Sequence, residues 1–245
     1  MGRFACFKGR GRLVASLDGM PVVFFVVRHG KTLFNEMGKV QGWCDTPLTE
    51  DGVEVARALG RGLARIPFAD AYSSDMGRAI QTLREVLAAR SEANPSAAQP
   101  RRHDPDERLR EWCYGDLEGG TGAHLHDVLE QAFGERLPQA RLNERLPDIA
   151  NAIARWDESG RAERFDQVKA RLCSFFHEAG DRAIEQGGGN VLIVTHSFAI
   201  RSIMYLLDAS RVNDPLMIEN ASVTQVGYDG KAFVLGETGS TKWLA

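Results

Sequence analysis

Two short apolar runs interrupt the otherwise amphipathic pattern of this chain, and each ends in a histidine. Val22-Val23-Phe24-Phe25-Val26-Val27 is followed at once by Arg28-His29-Gly30, and Val191-Leu192-Ile193-Val194-Thr195 by His196-Ser197. Runs this short, rich in branched and aromatic residues, fit strands buried on both faces, as in a parallel sheet. Between them Val53, Ala56, Leu59 and Leu63 recur at helical spacing, with Thr49 as N-cap and Glu50 and Asp51 in the first turn. Residues 68–74 read as a strand, 76–89 as a helix, and 101–111 as a short strand followed by a loop. Phe165, Val168, Leu172, Phe175, Phe176, Ala179 and Ala183 mark a strong amphipathic helix closed by Gly187-Gly188-Gly189. A helix over 197–207 follows. Residues 223–228 and 231–235, joined by Asp229-Gly230, read as a hairpin.

Two stretches do not fit this alternation. Residues 31–47, with scattered polar positions and three glycine or proline breaks, read as a loop over the mouth of the first strand. Residues 116–164 are polar and broken by Gly134, Pro138, Pro147 and Gly160, giving two or three helical pieces that resemble an inserted cap. The expected fold is α/β: a three-layer α/β/α sandwich with a mostly parallel central sheet and a helical insertion over the active site. One domain spans 20–245, after a tail at 1–19. Met20 directly precedes the first strand, which raises the hypothesis that translation begins there.

A net charge of −3 over 245 residues leaves no global basic footprint, so nucleic acid is not the expected partner. No apolar run approaches the ~18 residues of a membrane span, and the stretch after the basic start is too short for a signal sequence. Met1-Gly2 has Cys6 where a myristoylation signal needs Ser or Thr. Cys6, Cys44, Cys113 and Cys173 lie far apart without a CxxC pair, so reduced thiols in a cytoplasmic protein are expected.

Side chains just past the carboxyl end of a parallel strand face the crevice where open α/β sheets bind ligands. Arg28, His29 and His196 stand at such positions, and Arg78, Glu111 and Asn35 at other expected element ends. Arginine forks match phosphate oxygens, and a neutral imidazole can serve as a nucleophile. Together they suit a phosphoryl group. His124 and His126 form an HxH pair without a third ligand in reach, and read as solvated helix residues rather than a metal site.

Arg28-His29-Gly30-Lys31-Thr32 with Asn35, Ser74-Asp75-x-x-Arg78-Ala79-x-x-Thr82, Leu109-Arg110-Glu111-x-x-x-Gly115-x-x-Glu118-Gly119 and Val194-Thr195-His196-Ser197 occur in this order. In these residues the chain resembles the histidine phosphatase superfamily, which contains the cofactor-dependent phosphoglycerate mutases. The resemblance implies that His29 accepts the phosphoryl group while Arg28, Arg78 and His196 clamp its oxygens. It implies that Glu111 is the acid for the leaving oxygen and then the base for water. Asn35, with Thr32, Gln41, Gly42 and Ser197, is expected around the substrate. No metal or cofactor is expected. The partner is a small phosphorylated metabolite, and the oligomeric state is left open.

Hydrolysis is favoured over mutase chemistry on two grounds. The insertion carries Arg136, Arg141, Arg145 and Arg155 but lacks the adjacent arginine pair that the resemblance associates with mutases. Gln41-Gly42 also resembles the phosphatase branches. The alternatives are a phosphoglycerate mutase using 2,3-bisphosphoglycerate, and a binding protein that has lost the chemistry. Substrate specificity is expected to reside in 116–164 and 31–47.

Overall fold

The computed structural model describes residues 17–245; what was expected of residues 1–16 lies outside them. Strands β1 (Val22–Arg28), β2 (Phe68–Ser73), β3 (His103–Pro105), β4 (Gly189–Thr195), β5 (Val223–Tyr228) and β6 (Phe233–Leu235) form one sheet in the order β3-β2-β4-β1-β5-β6. The pairings among β3, β2, β4 and β1 are parallel, while β5 and β6 add antiparallel at one side. The sheet is therefore mixed, its parallel half carrying the two histidine-ended strands at its centre. Arg28 pairs with Thr195 in register, so the chain leaves both strands at the same level.

Alternation along the strands divides the core into two layers. Phe24, Val26, Val191 and Ile193 pack on one face against α7 (Phe165–Glu185) and α8 (Ser197–Leu207). Phe25, Val27, Leu192 and Val194 face α2 (Glu50–Gly62) and α3 (Gly77–Ala93) on the other. Each fully buried Phe or Leu stabilises the fold by about 1.5–3 kcal/mol. Both faces must be covered because both are apolar, and this produces the three layers.

Over 116–164 lie three helices, α4 (Gly122–Phe133), α5 (Gln139–Asn143) and α6 (Leu146–Trp156). Leu142, Leu146, Ile149 and Ile153 join the same core layer as α7, so this insertion is packed down and not detached. Four details differ from the sequence reading. The 31–47 loop holds a one-turn helix, α1 (Leu33–Glu36), capped by Thr32. Helix α3 continues four residues past Ala89, to Ala93, and β6 begins two residues later than expected. Cys173 is disulfide-bonded, where four reduced thiols were expected; sequence separation carries no information about spatial approach. Among the described residues Cys44 and Cys113 are free. No described helix is long and apolar enough to cross a membrane.

Candidate active site

Neighbouring strands lie about 4.7–4.9 Å apart, and the rings of His29 and His196, leaving adjacent strands at one level, have centroids 5.1 Å apart. His29 is 4% exposed and His196 is fully buried. His29 Nδ1 lies 2.8 Å from the Gly30 carbonyl oxygen, which can only accept, so Nδ1 carries the proton and Nε2 keeps its lone pair. Arg78 Nε donates to that Nε2 at 3.3 Å. Burial, then Arg78 and Arg28, hold the His29 pKa well below the usual 6.5. Burial and Arg78 do the same to His196. Both rings are neutral bases at neutral pH.

Backbone contacts fix the nucleophile candidate from three sides. His29 N–H donates to Thr195 O at 2.9 Å, Asn220 Nδ2 donates to His29 O at 2.8 Å, and Gly30 N–H donates to Thr82 Oγ1 at 2.9 Å. A Cβ at Gly30 would lie 2.4 Å from the Gly52 carbonyl oxygen, so only glycine lets this turn rest on the start of α2.

Arg78 enters from α3 with its side chain fully buried. Its Nη1 donates to Cys44 O and to Asp45 Oδ1, at 3.0 and 2.9 Å, and Nη2 donates to Gly42 O at 2.7 Å. Five N–H groups in a fixed fork explain why arginine suits this position and lysine does not. Arg28 Nη1 donates to Ile218 O at 2.6 Å. Arg28 Nε and both ring nitrogens of His196 are buried without a hydrogen-bond partner among the described residues. Buried polar atoms are rarely left so, and these three are free to take a ligand's oxygens.

Glu111 sits against the N-terminus of α8. Oε1 accepts from Trp112 N–H and Ala199 N–H at 3.0 and 2.9 Å, and Oε2 accepts from Phe198 N–H at 3.0 Å. Ser197 Oγ lies 3.5 Å from Oε2. The amides and the helix dipole favour the charged carboxylate, yet burial outweighs them and raises the pKa above the usual 4.5. A raised carboxyl pKa beside a depressed imidazole pKa is the pairing that acid and nucleophile roles need.

The remaining expected residues divide. Ser197 joins this centre. Thr32, Asn35, Gln41 and Gly42 brace the loop over it. Thr32 Oγ1 donates to Gln41 Oε1 at 2.7 Å, Gln41 Nε2 donates to Thr46 Oγ1 at 2.9 Å, and Asn35 Oδ1 accepts from Thr32 N–H at 3.2 Å. A Cβ at Gly42 would lie 2.1 Å from Trp112 O and 2.4 Å from Glu118 Oε1. Glu118 accepts the N–H groups of Gly42, Trp43, Cys44 and Tyr114, all within 3.0 Å. It thereby ties the Arg78-binding loop to the Glu111 segment.

Sequence reasoning missed several supporting groups. Asp45 orients Arg78, and Asn220 holds the His29 backbone. Arg171 of α7 donates to the carbonyls of Arg108, Arg110 and Glu111 while pairing with Glu163 at 2.8 Å. Only Asp45, next to Cys44 in the loop read as covering the pocket, lay near a flagged segment. Trp43 and Tyr114 separate: Tyr114 is buried against Phe198, and Trp43 lies partly exposed under Arg110, 4.6 Å from the guanidinium. Among the described residues no His, Cys, Asp or Glu cluster could hold a metal ion. A cavity of about 520 Å³ lies between α3 and β3 and is lined by none of these groups.

A buried imidazole pair flanked by two guanidiniums and a carboxyl, at the carboxyl ends of central parallel strands, is the arrangement of a phosphoryl-transfer centre. The model of the histidine phosphatase superfamily (branch 1) matches residues 24–241, and the chain belongs to that superfamily. It is 31% identical over 188 residues to 2,3-bisphosphoglycerate-dependent phosphoglycerate mutase 2 of Gloeobacter violaceus, covering 75% of this chain and 74% of that protein. It is 27% identical over 231 residues to the fructose-2,6-bisphosphatase TIGAR of Bos taurus, covering 82% of each. The crystal structure of phosphoglycerate mutase from Bacillus anthracis str. Sterne superimposes with a TM-score of 0.83 at 34% identity, covering 91% of this chain and 95% of that one. The relatives include both phosphatases and mutases.

Proposed function

We propose that the protein hydrolyses phosphomonoesters of small metabolites through a phosphohistidine at His29. The observation that carries this reading is the neutral, Nδ1-anchored His29 ring, 5.1 Å from His196 and touching Arg78. In the first step His29 Nε2 attacks phosphorus, the ester P–O bond breaks, and protonated Glu111 gives its proton to the leaving oxygen. In the second step the Glu111 carboxylate takes a proton from water. The water oxygen bonds to phosphorus, the N–P bond breaks, and phosphate leaves. Arg28, Arg78 and His196 stabilise the charge on the non-bridging oxygens during both steps. The chemistry calls for no metal or organic cofactor.

Hydrolysis is supported over isomerisation by the state of three of the insertion's four named arginines. Arg136 pairs with Asp127 and Glu130, Arg141 with Glu144, and Arg145 with Asp148, all at the surface. These guanidiniums are turned to neighbouring acids, which leaves them poorly placed to hold a phosphoglycerate carboxylate. The mutase reading is favoured by the names of the Gloeobacter and Bacillus relatives. It predicts isomerisation of 3-phosphoglycerate primed with 2,3-bisphosphoglycerate, with little free phosphate. Hydrolysis predicts steady phosphate release and an acid-labile phosphoprotein on rapid quenching, both lost in His29→Ala. Turnover retained by His29→Ala overturns the phosphohistidine proposal.

A further inference from the structure

A cavity of about 80 Å³ lies between α5, the first turn of α8 and the segment before β5, and Arg28 and Ser197 line both it and the catalytic centre. The leaving oxygen must meet Glu111, whose Oε2 is bound by Phe198 N–H beside Ser197. Phe198 also lines the cavity. On the hydrolytic reading proposed above, the leaving group therefore projects into this space.

The polar atoms around the cavity state what it can accept. Arg201 spends its guanidinium on the carbonyls of Val212, Pro215 and Leu216. Asn143 Nδ2 donates to Leu216 O at 3.0 Å, and a backbone carbonyl can only accept, so the orientation of this amide is fixed. Asn143 Oδ1 is then the acceptor for Gln139 Nε2 at 2.8 Å. Asn143 Nδ2 donates as well to Asn213 Oδ1 at 2.8 Å, and Asn213 Nδ2 donates to the Ala140 carbonyl, so the whole relay has one direction. Gln139 Oε1 ends it as an acceptor with no hydrogen bond among the described residues. Met217 and Ile218 supply apolar wall.

An acceptor that ends a relay of fixed direction seeks a donor. We infer that this cavity is the leaving-group subsite, and that Gln139 determines specificity by accepting a hydrogen bond from a hydroxyl of an uncharged, polyol-type leaving group. A carboxylate at Gln139 Oε1 would set oxygen against oxygen. Of the two guanidiniums in the lining, Arg201 is engaged with three carbonyls, and Arg28 with Ile218 O and, on this reading, with the phosphoryl oxygens.

Glycerol 3-phosphate and 3-phosphoglycerate test this directly, because they differ only in a terminal CH2OH against a carboxylate. Phosphate release by the wild-type protein is expected to show a kcat/KM roughly tenfold or more higher for glycerol 3-phosphate. Gln139→Leu should bring the ratio towards one, and Gln139→Lys should invert it. Both ratios are internal to one protein sample, so partial misfolding does not move them. Equal rates or a preference for 3-phosphoglycerate in the wild type overturns the inference, as does a ratio unmoved by both variants. Hydrolysis of p-nitrophenyl phosphate without the discrimination sinks this subsite alone. A wild-type protein inert towards every phosphomonoester sinks the hydrolase reading with it.

Discussion

Glu111→Gln separates proton donation from architecture. Three backbone N–H groups point at this carboxyl, two at Oε1 and one at Oε2. A glutamine can keep its oxygen on the Oε1 side, but its NH2 then confronts Phe198 N–H. Leaving that buried donor unsatisfied costs about 1–3 kcal/mol of stability. The chemical loss is separate: a positioned acid contributes roughly 10²–10⁴ in rate, which is about 2.7–5.5 kcal/mol of barrier at ~1.36 kcal/mol per decade. An alkyl phosphate, whose alkoxide cannot leave without a proton, should show this whole loss in kcat/KM. p-Nitrophenyl phosphate, whose phenolate leaves unprotonated, should lose far less in the phosphorylation step. The assay is burst-phase release of each alcohol, with thermal melting to confirm folding. Equal losses on both substrates would refute the acid assignment and make Glu111 a scaffold residue for α8.

Two further outcomes follow from the same geometry. Gly42→Ala should lower stability by about 1–3 kcal/mol through overpacking against Trp112 O. It should also reduce kcat by shifting the carbonyl that receives Arg78 Nη2; unchanged melting and turnover would show that the loop yields freely. The depressed pKa values of His29 and His196 fix a direction for acid stability. The unfolded chain takes up protons near pH 6.5 that the folded chain refuses, so stability falls as pH drops below that value. The slope is up to about 1.4 kcal/mol per pH unit for each imidazole. Urea midpoints between pH 7 and 5 should fall less in His196→Asn than in the wild type, and identical slopes would contradict the buried neutral assignment.

The strands that position the centre were legible because residues 22–27 of β1 and 191–194 of β4 are apolar without a break and a histidine follows within two residues. What strand order they take was not, because an apolar run does not name its neighbours; the antiparallel placement of β5 beside β1 is set by long-range register. Helix α1 escaped notice because it buries no side chain, although Thr32 and Asn35 form a reciprocal cap around its single turn. The end of α3 was misjudged because Arg90, a charged residue, is buried there, its guanidinium donating to Ile66 O and Ala98 O. The reacting groups could be named from their positions past strand ends. Of their supports, Glu118 stood in one of the sequence motifs and gathers four amides from two segments, whereas Arg171 gathers three carbonyls from a helix face that reads as ordinary polar surface.

Because Arg28 and Thr195 are partners in the ladder, the distance between the imidazoles is inherited from the backbone repeat of the sheet and not tuned side chain by side chain. A slip of one residue in that ladder would send the whole strand's side chains to opposite faces, so the gauge is all or nothing. Divergence in the helices above can therefore remodel what enters without recalibrating where phosphorus rests. The spacing of the two rings is anchored to the stiffest ruler the chain possesses.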